Sequence, residues 1–159
     1  MNLTTKKIVL AALGIALYVA ISMLLKIPLG IGYIALDLGY IIFAVYCYTF
    51  GPTIGAIVGV VGSMLVSLLS SGMFPLGWML GQLIIGVICG NAYTRCHKPW
   101  LNVLITIVAV ALGILGIKTA VECTLYGIPL AVKLAKNGVA AATDAVVMVI
   151  GLGVAPKIK

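Results

Sequence analysis

Negative charge is almost missing from this sequence. Asp37, Glu122 and Asp144 are its only acidic residues among 159, and charged residues of both signs make up just 8%. A soluble domain ordinarily carries roughly a quarter charged residues, so there is too little polar surface here to face water, and a soluble globular domain is excluded. Histidine occurs once, as His97 in a basic turn beside Lys98, where it reads as a solvated loop residue. The four cysteines, Cys47, Cys89, Cys96 and Cys123, form no C-x-x-C pair and read as small hydrophobes. No metal site, and no nucleophile with its base, can be assembled. The glycines of G-P-T-I-G-A-I-V-G (Gly51 to Gly59) lack a phosphate-loop lysine, so this chain carries no nucleotide hydrolysis and implies no cofactor. Ten Lys and Arg leave a formal charge of +7, but the cations never cluster. Nucleic-acid binding is therefore unsupported, and the excess reads as topology signal and contact with anionic lipid headgroups.

What is abundant is apolar. Hydrophobic residues make up 64%, and the mean hydropathy is +1.30. Apolar runs fall at 8–25, 34–50, 53–69, 74–93, 100–117 and 138–155. Each is close to the roughly 20 residues that cross a hydrocarbon core about 30 Å thick, so the pattern predicts one all-α integral membrane domain of about six transmembrane helices over 1–159. The separators at 26–32, 50–52, 70–72 and 94–99 are rich in glycine, proline, serine or charge, and close hairpins of antiparallel helices. The first run has a basic flank but no A-x-A-like cleavage site, and reads as a permanent helix. Segment 118–137, interrupted by Lys118, Glu122, Lys133 and Lys136 and by Gly127 and Pro129, is expected to extend the fifth helix and continue as an external or re-entrant segment. With six spans both termini share a face. Lys6, Lys7, Arg95, Lys98, Lys157 and Lys159 against Lys26, Lys118, Lys133 and Lys136 favour cytoplasmic termini.

Acidic residues inside apolar runs are expensive, which makes Asp37 and Asp144 functional candidates, and by this topology both lie towards the external face with Glu122. Lys118 and Glu122, one turn apart, form a pair. Trp78 and Gln82 share a helix face beside Gly81 and Gly86, and a stacking indole next to an amide suits a planar heterocyclic ligand as well as an interfacial anchor. Tyr40 and Tyr126 extend the aromatic wall or sit in an interfacial belt. Asn137 is a further hydrogen-bonding candidate. Two stripes of small residues recur every four positions: Ala12, Ala16 and Ala20, and Gly51, Gly55, Gly59, Ser63 and Ser67. Either lets a second backbone approach closely, inside the bundle or in a partner. The large residues elsewhere on the first helix favour an external partner for the alanine stripe.

The order of these motifs resembles the substrate-binding S components of energy-coupling factor (ECF) transporters, small six-helix proteins for vitamins and related micronutrients. The basic start, A-x-x-x-A-x-x-x-A at Ala12 to Ala20, F-G-P-T-I-G-A-I-V-G at Phe50 to Gly59, P-L-G-W-M-L-G-Q-L-I-I-G at Pro75 to Gly86 and Y-G-I-P-L at Tyr126 to Leu130 carry the likeness. The resemblance implies that the alanine stripe docks on a transmembrane coupling subunit driven by two cytoplasmic ATPases. It also implies a vitamin-like ligand held near the external face in the plasma membrane of a prokaryote. No stretch clearly matches the riboflavin, thiamine, biotin or folate branches. The sparse polar outfit of the fourth and sixth helices suggests a modest ligand with few polar groups, or recognition by loops. A stand-alone transporter or channel, self-assembled through the glycine stripe, is the alternative.

Overall fold

The computed structural model describes residues 5–25, 27–28, 35–96 and 98–157. Helix α1 spans Thr5–Leu24, a two-residue antiparallel pair joins β1 (Ile27–Pro28) to β2 (Ala35–Leu36), and α2 follows as Gly39–Ser71. Then come α3 (Leu76–Arg95), α4 (Pro99–Ala111), a π-helical stretch Leu112–Lys118, α5 (Thr119–Tyr126) and α6 (Leu130–Val154), closed by a 3₁₀ turn at Ala155–Lys157. The runs α4 to α5 and α6 to the 3₁₀ turn are each continuous, and among the described residues five helices are long and apolar enough to cross a membrane. His97 and most of the turn expected at 26–32 lie outside the described residues.

Helix α2 contains the second and third expected apolar runs. They are separated by Gly51, which has φ 80° and ψ −171°, a conformation essentially restricted to glycine. Pro52 follows, with no N–H to continue the hydrogen-bond ladder. The chain reverses there: a Cβ on Gly55 would strike Cys47, and one on Gly59 would strike Phe43, both pairs being equidistant from Gly51. The glycine stripe is thus consumed inside the chain, with Gly51, Gly55, Gly59 and Ser63 all buried.

Close backbone approach recurs across the bundle. A Cβ on Gly86 of α3 would lie 2.6 Å from the Ala56 Cα, and one on Gly151 of α6 would lie 2.8 Å from the Ile41 Cα. In lipid such contacts, rather than hydrophobicity, hold helices together. Helix α1 buries Ala11, Gly14, Tyr18 and Ser22. Its Ala12, Ala16 and Ala20 are exposed, as are the neighbouring Leu13 and Leu17.

Segment 118–137 differs from expectation. The fifth helix does continue through it to Tyr126, but the break that follows is only Gly127 to Pro129. Gly127 takes a left-handed C-cap (φ 60°) whose N–H bonds the Cys123 carbonyl, and the last helix begins at Leu130 rather than near 138. The π-helical stretch leading into this region lies where Gly113 meets Gly81 backbone to backbone. The Thr119 hydroxyl bonds the Ile114 carbonyl five residues back, at 2.9 Å.

Candidate binding cavity

A cavity of about 410 Å³ opens at the end of the bundle where α1 ends and α6 begins. It is formed where α1 ends, α2 begins, the second half of α2 ends, α3 begins, α5 follows the π-helical stretch and α6 begins. All three acidic residues of the chain line it, together with Lys118, Lys133 and Lys136. Ser63, Ser67 and Ser70, spaced along the second half of α2, complete one wall, and Trp78 stands in the first turn of α3.

On the basic side the groups are tightly connected. The Lys118 ammonium donates to Asn137 Oδ1 at 2.6 Å and lies 3.6 Å from Glu122, while Lys133 meets the other Glu122 oxygen at 3.0 Å. Asn137 uses its amide hydrogens on Thr119 Oγ1 (2.9 Å) and Glu122 (3.2 Å). The expected Lys118–Glu122 pairing is therefore one edge of a larger network. Lys118 also sits over the Trp78 ring, 4.0 Å from its centre, so one face of the indole already carries a cation.

On the acidic side Asp37 accepts from Ser22 Oγ at 2.6 Å and from the Gly39 N–H at 2.9 Å. This clasps the end of α1 to the start of α2 and places a negative charge at the positive end of that helix. Asp144 is 3% exposed, four turns into α6, and deeper than a helix beginning near 138 would put it. Tyr40 lines the same cavity as Asp144. Tyr40 also accepts from Gln82 Nε2 at 2.5 Å, which puts Gln82 behind the cavity wall as a support for Tyr40. Among the described residues neither Asp37 nor Asp144 forms an ion pair.

Pairs of polar and charged groups at this density, in a cavity of small-molecule size, can orient a ligand. A family model described as the S component of ECF-type riboflavin transporters matches residues 2–155. This chain belongs to that family. The motifs carry the S-component likeness without assigning a branch, and the matching model carries the riboflavin branch's description. A UPF0397 protein of Lactobacillus johnsonii is 30% identical over 89 residues, covering 56% of this chain and 48% of the relative. One from Lactobacillus acidophilus is 32% identical over 94 residues (59% and 51%), and one from Streptococcus agalactiae 31% over 87 residues (55% and 48%). The chain spans about half the length of the curated relatives it matches.

Within this S-component chain, Asp37, Tyr40, Trp78, Lys118, Glu122, Asn137 and Asp144 meet around one cavity. Tyr126 does not join them; it is 50% exposed on the last turn of α5. Sequence reasoning missed Tyr18, Lys133, Lys136 and Ser70 as lining residues, and took Ser63 and Ser67 only as packing positions. The lysines had a usable signal, since Lys133, Lys136, Ala140 and Asp144 recur every three or four residues, the spacing of one helix face. The polar complement is correspondingly richer than expected for a ligand with few polar groups.

Proposed function

We propose that this chain is the substrate-binding subunit of an ATP-driven ECF importer, taking a small, planar, water-soluble micronutrient into the cavity bounded by Asp37, Trp78, Lys118, Glu122, Asn137 and Asp144. The observation that carries this is the gathering of every acidic residue of a very apolar chain around one cavity. Such groups are expensive in a membrane protein unless they serve a ligand or a pathway. Riboflavin, named in the matching family's description, is the first ligand to test.

The proposed topology has six spans, with Gly51 as a tight turn between two of them, and cytoplasmic termini in a bacterial plasma membrane. Support comes from the lysines. Lys118, Lys133 and Lys136 line the cavity, and once they are set aside the remaining charge asymmetry is six against one in favour of cytoplasmic termini. The exposed Ala12, Ala16 and Ala20 offer a smooth strip for a transmembrane coupling subunit, with ATP hydrolysis on its two ATPase partners. Self-assembly through the glycine stripe has lost its surface, because that stripe is internal.

Replacing Ala16 by Trp tests the arrangement. Ligand binding by the isolated chain is expected to stay within threefold, while co-purification with the coupling subunit and uptake by cells are lost. Unimpaired uptake, or purification as an assembly of this chain alone, would argue for the stand-alone transporter instead.

A further inference from the structure

The cavity is electrically sorted along its depth. At the buried end lies Asp144, with the hydroxyls of Tyr18 and Tyr40, while the half-buried Asp37 stands where α1 meets α2; no described cation pairs with either carboxylate. Towards the mouth stand the exposed Lys136, the half-buried Lys133 and the buried Lys118; Lys118 and Lys133 share the carboxylate of Glu122, and among the described residues Lys136 forms no ion pair. Helix α6 supplies both poles from one face. Lys136 and Asp144 are eight residues apart, roughly 12 Å at about 1.5 Å rise per residue. Between them on that face is Ala140, whose methyl side chain leaves the wall free of protruding groups.

A ligand with a charged or hydrogen-bonding group at one end only would match one pole and leave the other uncompensated. Desolvating charged groups without partners is costly, and complementarity of potential is what selects among ligands of similar shape. We propose that the ligand is dipolar: a flat molecule whose amino, ammonium or comparable donor-bearing end is held deep, against Asp144. Its anionic or acceptor-rich end stays at the mouth, facing Lys136 and Lys133. This rests on the binding-subunit reading and adds the ligand's charge pattern and direction of entry. Asp144 sets the inner contact and Lys136 the outer one, with Trp78 flanking the ring.

The test uses the full chain in detergent and four aromatic probes that differ only in their ends: 4-aminomethylbenzoate, benzylamine, benzoate and benzyl alcohol. Binding is read by saturation-transfer NMR, alongside mass spectrometry of whatever molecule the chain retains from its host. The dipolar probe is expected to bind at least tenfold more tightly than each of the other three. Asp144→Asn should abolish the advantage conferred by the amine, and Lys136→Met, at the exposed mouth where folding is not at stake, the advantage conferred by the carboxylate. Benzyl alcohol or a one-ended probe binding as well as the dipolar one would overturn the proposal and leave the binding-subunit reading standing. If all four bind too weakly to rank, the retained molecule decides: a donor-bearing end and an anionic or acceptor-rich end support the proposal, and any other pattern overturns it. No retained molecule and no bound probe would overturn both readings together.

Discussion

The ammonium of Lys118 lies 4.0 Å from the centre of the Trp78 ring. Because the same nitrogen bonds Asn137 at 2.6 Å, this one side chain ties α3 to α6 from the end of the π-helical stretch between α4 and α5. It also sets the electronic surroundings of an indole that serves as a reporter.

Lys118→Met keeps most of the stem volume and removes the cation. Glu122 keeps Lys133 as its partner, so no carboxylate is stranded. The loss of a charge-assisted hydrogen bond and a cation–π contact is expected to cost about 1–3 kcal/mol. In a Trp100→Phe background, where Trp78 is the sole indole, the emission maximum should shift and the unfolding midpoint should fall. Unchanged emission would mean that the contact is not formed in the folded protein.

Gly51 is the hinge on which the hairpin in α2 depends. With φ 80° and ψ −171°, Gly51→Ala should destabilise the protein by about 1–3 kcal/mol, although a Cβ there would meet nothing closer than 3.6 Å. Gly153→Ala serves as the control, since that helical glycine has nothing within 4 Å of the added carbon, and it should be near neutral. Unfolding in a mixed-detergent titration compares the two; equal stabilities would show that Gly51 can relax out of this conformation.

The two tyrosines that look alike in the sequence should behave differently. Tyr40→Phe removes the hydroxyl that accepts from Gln82, leaving a buried amide without that partner at the cavity wall. Affinity for the ligand that the wild-type chain retains is expected to drop at least fivefold. Tyr126→Phe, on an exposed turn away from the cavity, should leave it unchanged. Calorimetric titration of both variants makes the comparison.

How much of this is legible in the sequence follows from what each residue costs. Asp37, Glu122 and Asp144 stand out because a carboxylate in or beside an apolar run is costly to keep without a ligand or a partner, and hydropathy marks the helices because a bilayer demands long apolar runs. Lys133 and Lys136 are hidden because Gly127 and Pro129 suggest a long irregular stretch. The interruption is three residues, after which the lysines and Asp144 share one helix. Ser63 and Ser67 read as packing residues because their spacing continues the glycine stripe; they do extend that face, and its far end borders the cavity. Gln82 shares a helix face with Trp78, but burial turns its amide towards Tyr40. Nothing in a one-dimensional pattern indicates which hydroxyl an amide will meet.

If this cavity holds a small molecule for delivery, that molecule should be released when the protein is denatured. Mass spectrometry of compounds released on denaturing gently purified wild-type chain and a Trp78→Ala, Asp144→Asn double variant tests it most directly. The expected result is one planar heteroaromatic compound, near one per chain in the wild type and depleted at least tenfold in the variant. The same compound at equal amounts in both proteins, or no compound in either, would contradict it.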